Sequence, residues 1–206
     1  MKKLGFTLSE VIIALGIVGI VATITTPMIS SLIPDKNKAL VLKTYKIISG
    51  INEDLLNTPA YYLAPTKDQA SLDYCIKLGC TQPPKLEGLT GNEFSGTNKY
   101  PRLLAYHLDT EGAVTSSKFV TIDKAVWTFS GAHTATGGNV EITVDFNGDK
   151  GPNAVFSSSN KKPDRFKFKV DVHGGVTGAD PLTKAYLANP YKLNDRANDY
   201  KNALEP

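Results

Sequence analysis

Three side chains within one short segment have the spacing to hold a hard cation. Asp145, Asn147 and Asp149, in DFNGDKGPN, offer oxygens at alternating positions, as a calcium loop does. The full EF-hand pattern fails, because Lys150 stands where glycine is needed and Phe156 where a bidentate glutamate belongs. The simpler reading is a glycine-rich turn between two strands, with Asn147-Gly148 supplying a positive φ. Cys75 and Cys80 form a second candidate pair. In an exported domain two cysteines read as a disulfide. Residues five apart in a continuous helix are too far apart for a bridge, which needs Cα atoms within about 7 Å. Gly79 can end the helix and let Cys80 swing back. So short a loop gives on the order of 2 kcal/mol; the alternative is two free, buried thiols.

Lys161, Lys162, Arg165, Lys167 and Lys169 form a basic stripe. Nucleic acid or an acidic partner is one reading. Pairing across strands with Glu141 and Asp145 is the stronger, because only one strand is basic. His107, His133 and His173 are scattered, with no Ser-His-Asp order or metal-ligand spacing around them. Gly131 to Asn139 joins two strand-like runs, so it is a hairpin loop and not a phosphate loop. Ser157-Ser158-Ser159 is loop composition. No catalytic constellation emerges, and no cofactor is expected beyond the calcium just considered.

One further carboxylate, Glu10, heads a long apolar run. Val11 to Ile29 carries no charge. As a helix it would be about 29 Å long at ~1.5 Å per residue, close to a ~30 Å hydrocarbon core. A secretory signal peptide has a shorter apolar core and a small-x-small cleavage site, and Thr25-Thr26-Pro27 is a poor one. A plain anchor has no use for Glu10, since a carboxylate beside lipid is costly. Lys2 and Lys3 predict that the N-terminus stays cytoplasmic and the rest is exported. They also carry two units of the formal net charge of +3, so the apparent basicity is mostly theirs and gives no case for nucleic acid.

Together Gly5, Phe6, Thr7, Leu8, Ser9 and Glu10, then the apolar helix with Gly19 and Pro27, resemble the leader of type IV pilins and type II secretion pseudopilins. The resemblance covers roughly Met1 to Ile29. It implies cleavage between Gly5 and Phe6 by a prepilin peptidase, N-methylation of Phe6, and a role for Glu10 in setting subunit register. It implies other pilin or pseudopilin subunits and an inner-membrane assembly platform as partners, in pilus or type II secretion. It places the chain in the inner membrane, single-pass, with an exported head. Because major pseudopilins hold calcium beside the sheet, it also suggests Asp164 as a further ligand.

The surrounding pattern is an α+β fold: a long N-terminal helix packed on an antiparallel sheet. Leu40/Val41, Tyr45, Ile48, Ile51 and Leu55 form a helical stripe, while Lys36, Lys38, Lys43, Lys46, Glu53 and Asp54 take other positions with one wet side. This predicts one helix from Phe6 to about Asn57, kinked at Pro27 and Pro34 and stopped by Pro59. Thr66 to Gln69 resembles a capping box, ahead of a short helix with Leu72, Cys75 and Ile76. Thr81 to Thr97 reads as irregular loop. Strands are predicted at 118–122, 125–130, 140–146 and 165–172, the last two with clean alternation. Asp180-Pro181 opens a short helix ending at Ala188, before Pro190; residues 191–206 are polar and ambiguous. The chain therefore divides into a leader at 1–5, a transmembrane half-helix at 6–34, an amphipathic half at 35–58 and a head at 59–206. The reading is a structural filament subunit, not an enzyme. Its alternative is a minor pilin whose head binds DNA or a surface ligand.

Overall fold

The computed structural model describes residues 8–32, 35–58, 78–80, 97, 99–134, 136–148, 150–157, 159–160, 162–193 and 196–204, with α1 side chains described to residue 23. The short helix expected around Leu72 lies outside these residues.

Where one kinked helix is predicted, two separate helices are found: α1 (Leu8–Leu32) and α2 (Lys36–Asn57). The reason is local. Pro34 disfavours helical backbone at the residue before it. Asp35 then starts a fresh helix, its extended backbone letting its carboxylate accept the Asn37 N–H at 3.0 Å. The chain passes through Pro27 within α1. Thr58 closes α2 by donating its N–H to the Asp54 carbonyl.

Six strands, β1 (Thr110–Glu111), β2 (Lys118–Thr121), β3 (Val126–Gly131), β4 (Asn139–Asp145), β5 (Arg165–Asp171) and β6 (Val176–Gly178), form one antiparallel sheet in sequence order. Alternation holds as expected. Val140, Ile142 and Val144 of β4 and Phe166, Phe168 and Val170 of β5 are buried beneath α2's Val41, Ile48 and Leu55. It breaks at the end of β4, where Asp145 is buried and Phe146 only partly so, its ring 5.4 Å from that of Phe166. Gly131 ends β3 at φ +83, where a Cβ would lie 2.3 Å from the Asn139 carbonyl oxygen, so only glycine fits this hairpin.

Helix α4 (Pro181–Ala188) forms as predicted, with Asp180 accepting the Leu182 and Thr183 N–H groups. Two helices were not predicted, α3 (Lys99–His107) and α5 (Arg196–Leu204). The polar tail is thus part of the fold. Its anchor corrects another expectation. Lys38, assigned to the wet side of α2, is fully buried. Its ammonium donates to Asp199 Oδ2 at 2.6 Å and to the Lys192 carbonyl at 2.9 Å, and lies 5.6 Å from the centre of the Tyr186 ring. A buried amine needs such partners, and the tail supplies them.

Candidate functional site

Over its described side chains, residues 8–23, helix α1 is not covered by the head. Its large apolar side chains from Leu8 to Val21 are 43–79% exposed, on every side of the helix. A helix apolar all round is stable only against an apolar surrounding, since each such side chain gains about 1.5–3 kcal/mol on full burial. Glu10 lies in its first turn, exposed, where a negative charge complements the helix N-terminus. Among the described residues no helix is long and apolar enough to cross a membrane. The described side chains of α1, residues 8–23, are fewer than the ~20 a span takes.

Gly5 and Phe6, the expected processing pair, lie outside the described residues, as do Cys75 and Asp149. Cys80 ends a single 3-10 turn, Leu78–Cys80. That turn is held by the Leu78 N–H to the Val172 carbonyl at 2.8 Å and by Lys99 Nζ to the Gly79 carbonyl at 2.8 Å.

The loop between β4 and β5 does bring Asp145, Asn147 and Asp164 to one place. The carboxylate oxygens of Asp145 and Asp164 have protein donors. Asp145 Oδ1 accepts the Asn147 N–H at 3.2 Å and Oδ2 accepts Arg165 Nε at 2.9 Å. Asp164 accepts the Asn153 and Ala154 N–H groups, both at 2.8 Å. With its amide oriented to satisfy both ends, the Asn153 side chain donates to Asp145 Oδ2 and to the Gly148 carbonyl. Gly148 has φ +64, as the turn reading expects. Among the described residues no three His, Cys, Asp or Glu side chains form a metal cluster.

Two members of the basic stripe, Arg165 and Lys167, are paired across strands. Besides Arg165 with Asp145, Lys167 Nζ meets Glu141 Oε1 at 2.8 Å. The register sets Arg165 directly opposite Asp145 and Lys167 one pair diagonal from Glu141.

Sequence patterning missed a buried polar relay in the head. The Asn52 side chain donates to the Gly174 carbonyl at 3.1 Å and accepts the Tyr100 hydroxyl at 2.6 Å. The Tyr100 ring stands edge-on to His133, centroids 4.7 Å apart, and His133 Nε2 lies 3.0 Å from the Val170 carbonyl. Burial pushes the Tyr100 hydroxyl pKa up, lowers that of His133, and takes Lys99 down to about 8. This relay ties α2, α3, the β3–β4 hairpin and β5. The Asn52 amide, the Tyr100 hydroxyl and His133 Nε2 all meet partners, while His133 Nδ1 meets none among the described residues; the relay reads as a structural brace. Its only sequence signal was the interruption of α2's apolar stripe by Asn52.

Against known proteins, residues 1–26 match the prokaryotic N-terminal methylation motif. No curated protein and no solved structure matches the chain. The matched residues run into the exposed apolar helix α1, and the chain carries a type IV pilin-like prepilin motif.

Proposed function

We propose that this chain is a structural subunit of a pilus or pseudopilus, stored in the inner membrane by α1 and drawn into a filament after processing. The observation that carries this is the coincidence of the methylation motif with a helix whose apolar side chains the head leaves exposed. Prepilin peptidase removes residues 1–5, Phe6 is methylated, and the apolar helices of several subunits bundle together. Acting in type II secretion, or as a minor pilin, the chain does no chemistry of its own. A DNA-binding head is the weaker reading, because Arg165 and Lys167 already face Asp145 and Glu141.

Intact mass of the membrane-extracted protein tests processing: loss of residues 1–5 plus one methyl group is expected, and a retained leader in cells with active peptidase overturns the reading. Glu10 tests assembly. An unpaired carboxylate in a water-free bundle costs several kcal/mol, so it must meet a positive group, and the methylated amine of a neighbouring Phe6 is the available one. Glu10→Leu is therefore expected to insert and be cleaved normally and to be lost from sheared filaments. Normal incorporation would show that Glu10 does not set register.

A further inference from the structure

One side of the head has a charge pattern that the filament reading leaves unused. The exposed positions of α2 begin with Lys36, Ala39, Lys43 and Lys46, so every charged one before Glu53 is a lysine. Residues three and seven apart share a helix face. Lys46 borders a groove of about 860 Å3 between α2, β6 and α4, with Leu42, Tyr45 and Leu187 among its apolar lining and Lys184 and Tyr191 on its rim. Lys43, Lys46, Lys184 and Lys192 are exposed, and none of these ammonium groups has an ion-pair partner among the described residues. Tyr191 is 95% exposed.

This side adjoins the point where α1 leaves the head. The Asp35 N–H donates to the Leu193 carbonyl at 3.0 Å, which holds the 190–193 segment against the start of α2. Only Ile33 and Pro34 separate Asp35 from the end of α1. A bilayer that holds α1 is therefore within a few residues of this face. Exposed tyrosine flanked by lysine is the chemistry of the lipid–water boundary, and anionic headgroups attract clustered lysines.

We infer that, while the subunit is stored, the side of the head formed by α2's first turns and the α4–Leu193 segment docks on an anionic phospholipid surface, with Tyr191 at the headgroup level. Lys46 lies about 16 Å along α2 from Asp35 at ~1.5 Å per residue, so α2 must lie along the surface for Lys46 to reach it. Docking would hold the head down until assembly lifts it. The inference rests on the reading of α1 as the membrane anchor.

The test is lysine acetylation mapped by mass spectrometry on the full chain, reconstituted in phosphatidylcholine vesicles with and without phosphatidylglycerol. Acetylation of Lys43, Lys46, Lys184 and Lys192 is expected to drop several-fold with the anionic lipid and to recover in high salt. Lys118 and Lys169, exposed on the sheet face away from α2, should not change. In Lys46→Glu/Lys184→Glu the protection of Lys43 and Lys192 should vanish with head melting unchanged. Flotation with both vesicle types checks the anchor: a chain that fails to float refutes the anchor reading, and docking falls with it. A chain that floats but is acetylated alike in both lipids overturns docking alone. Protection in both lipids that fades as the protein is diluted in the vesicles would mean that a second copy covers this face, and overturns docking as well. Protection that survives the double reversal does the same.

Discussion

Helices α1 and α2 are neighbours in sequence and opposites in environment. The more apolar one is outside: from Leu8 to Val21, α1 exposes its Val, Ile and Leu side chains all round. The more polar one is inside: α2 buries Lys38, Thr44 and Asn52 together with Val41, Ile48 and Leu55. Periodicity, more than apolar content, decides which helix the head covers. A stripe can be matched by one sheet face, whereas a helix apolar on every side needs an apolar surrounding that a single head does not provide. The two most polar buried groups in α2 are tolerated because both have partners: Lys38 meets Asp199, and Asn52 meets Tyr100 and Gly174.

The contrast can be broken most forcefully from the α2 side. Asp199→Ala strands a buried ammonium and is expected to destabilise the head by about 3–5 kcal/mol. Lys38→Met/Asp199→Leu, which removes both charges, should cost much less. Urea unfolding followed by the fluorescence of buried Trp127 measures both; an unchanged midpoint for Asp199→Ala would show that α5 does not brace α2.

From the α1 side, Ile17→Lys should disfavour membrane insertion by roughly 2.5–3.5 kcal/mol while leaving the head's midpoint where it was. Alkaline-carbonate extraction reads the first effect and urea the second. A lowered midpoint would mean that α1 packs on the head after all.

The brace anchored on α2 should also respond to pH. Burial holds His133 below the ordinary histidine pKa of about 6.5, so the unfolded chain takes up its proton first. Stability should therefore be full near neutral pH and decline as pH falls below about 6.5 towards the lowered folded value. Lys99 opposes protonation and Asp171 favours it, and burial is the larger cause. His133→Gln should flatten that part of the profile; an unaltered slope would assign the pH dependence to other groups.

The smallest effect is expected in the β4–β5 loop. A cation there would have to displace Arg165 from Asp145 and two N–H groups from Asp164. Head melting in millimolar calcium and in chelator should coincide; a rise with calcium would support the metal reading instead.

Much of this protein was legible in its residues, for identifiable reasons. Strands β2 to β5, the glycine turn at Asn147-Gly148, the capped helix after Asp180 and the prepilin motif all depend on local spacing, which one chain displays in full. The pairing of Arg165 with Asp145 and of Lys167 with Glu141 followed from neighbouring strands of opposite charge. What the residues could not show is long-range. Lys38 looks solvated until Asp199, far along the chain, is folded against it. Strands β1 and β6 are too short to display a period, and exist because longer neighbours pair with them. Asp145 and Asp164 resemble cation ligands by spacing, and only the folded loop reveals the arginine and amide groups that face them. Spacing along the chain determines which side chains share a face. Which partner waits opposite a buried charge is a property of distant segments brought together, and tertiary structure alone decides it.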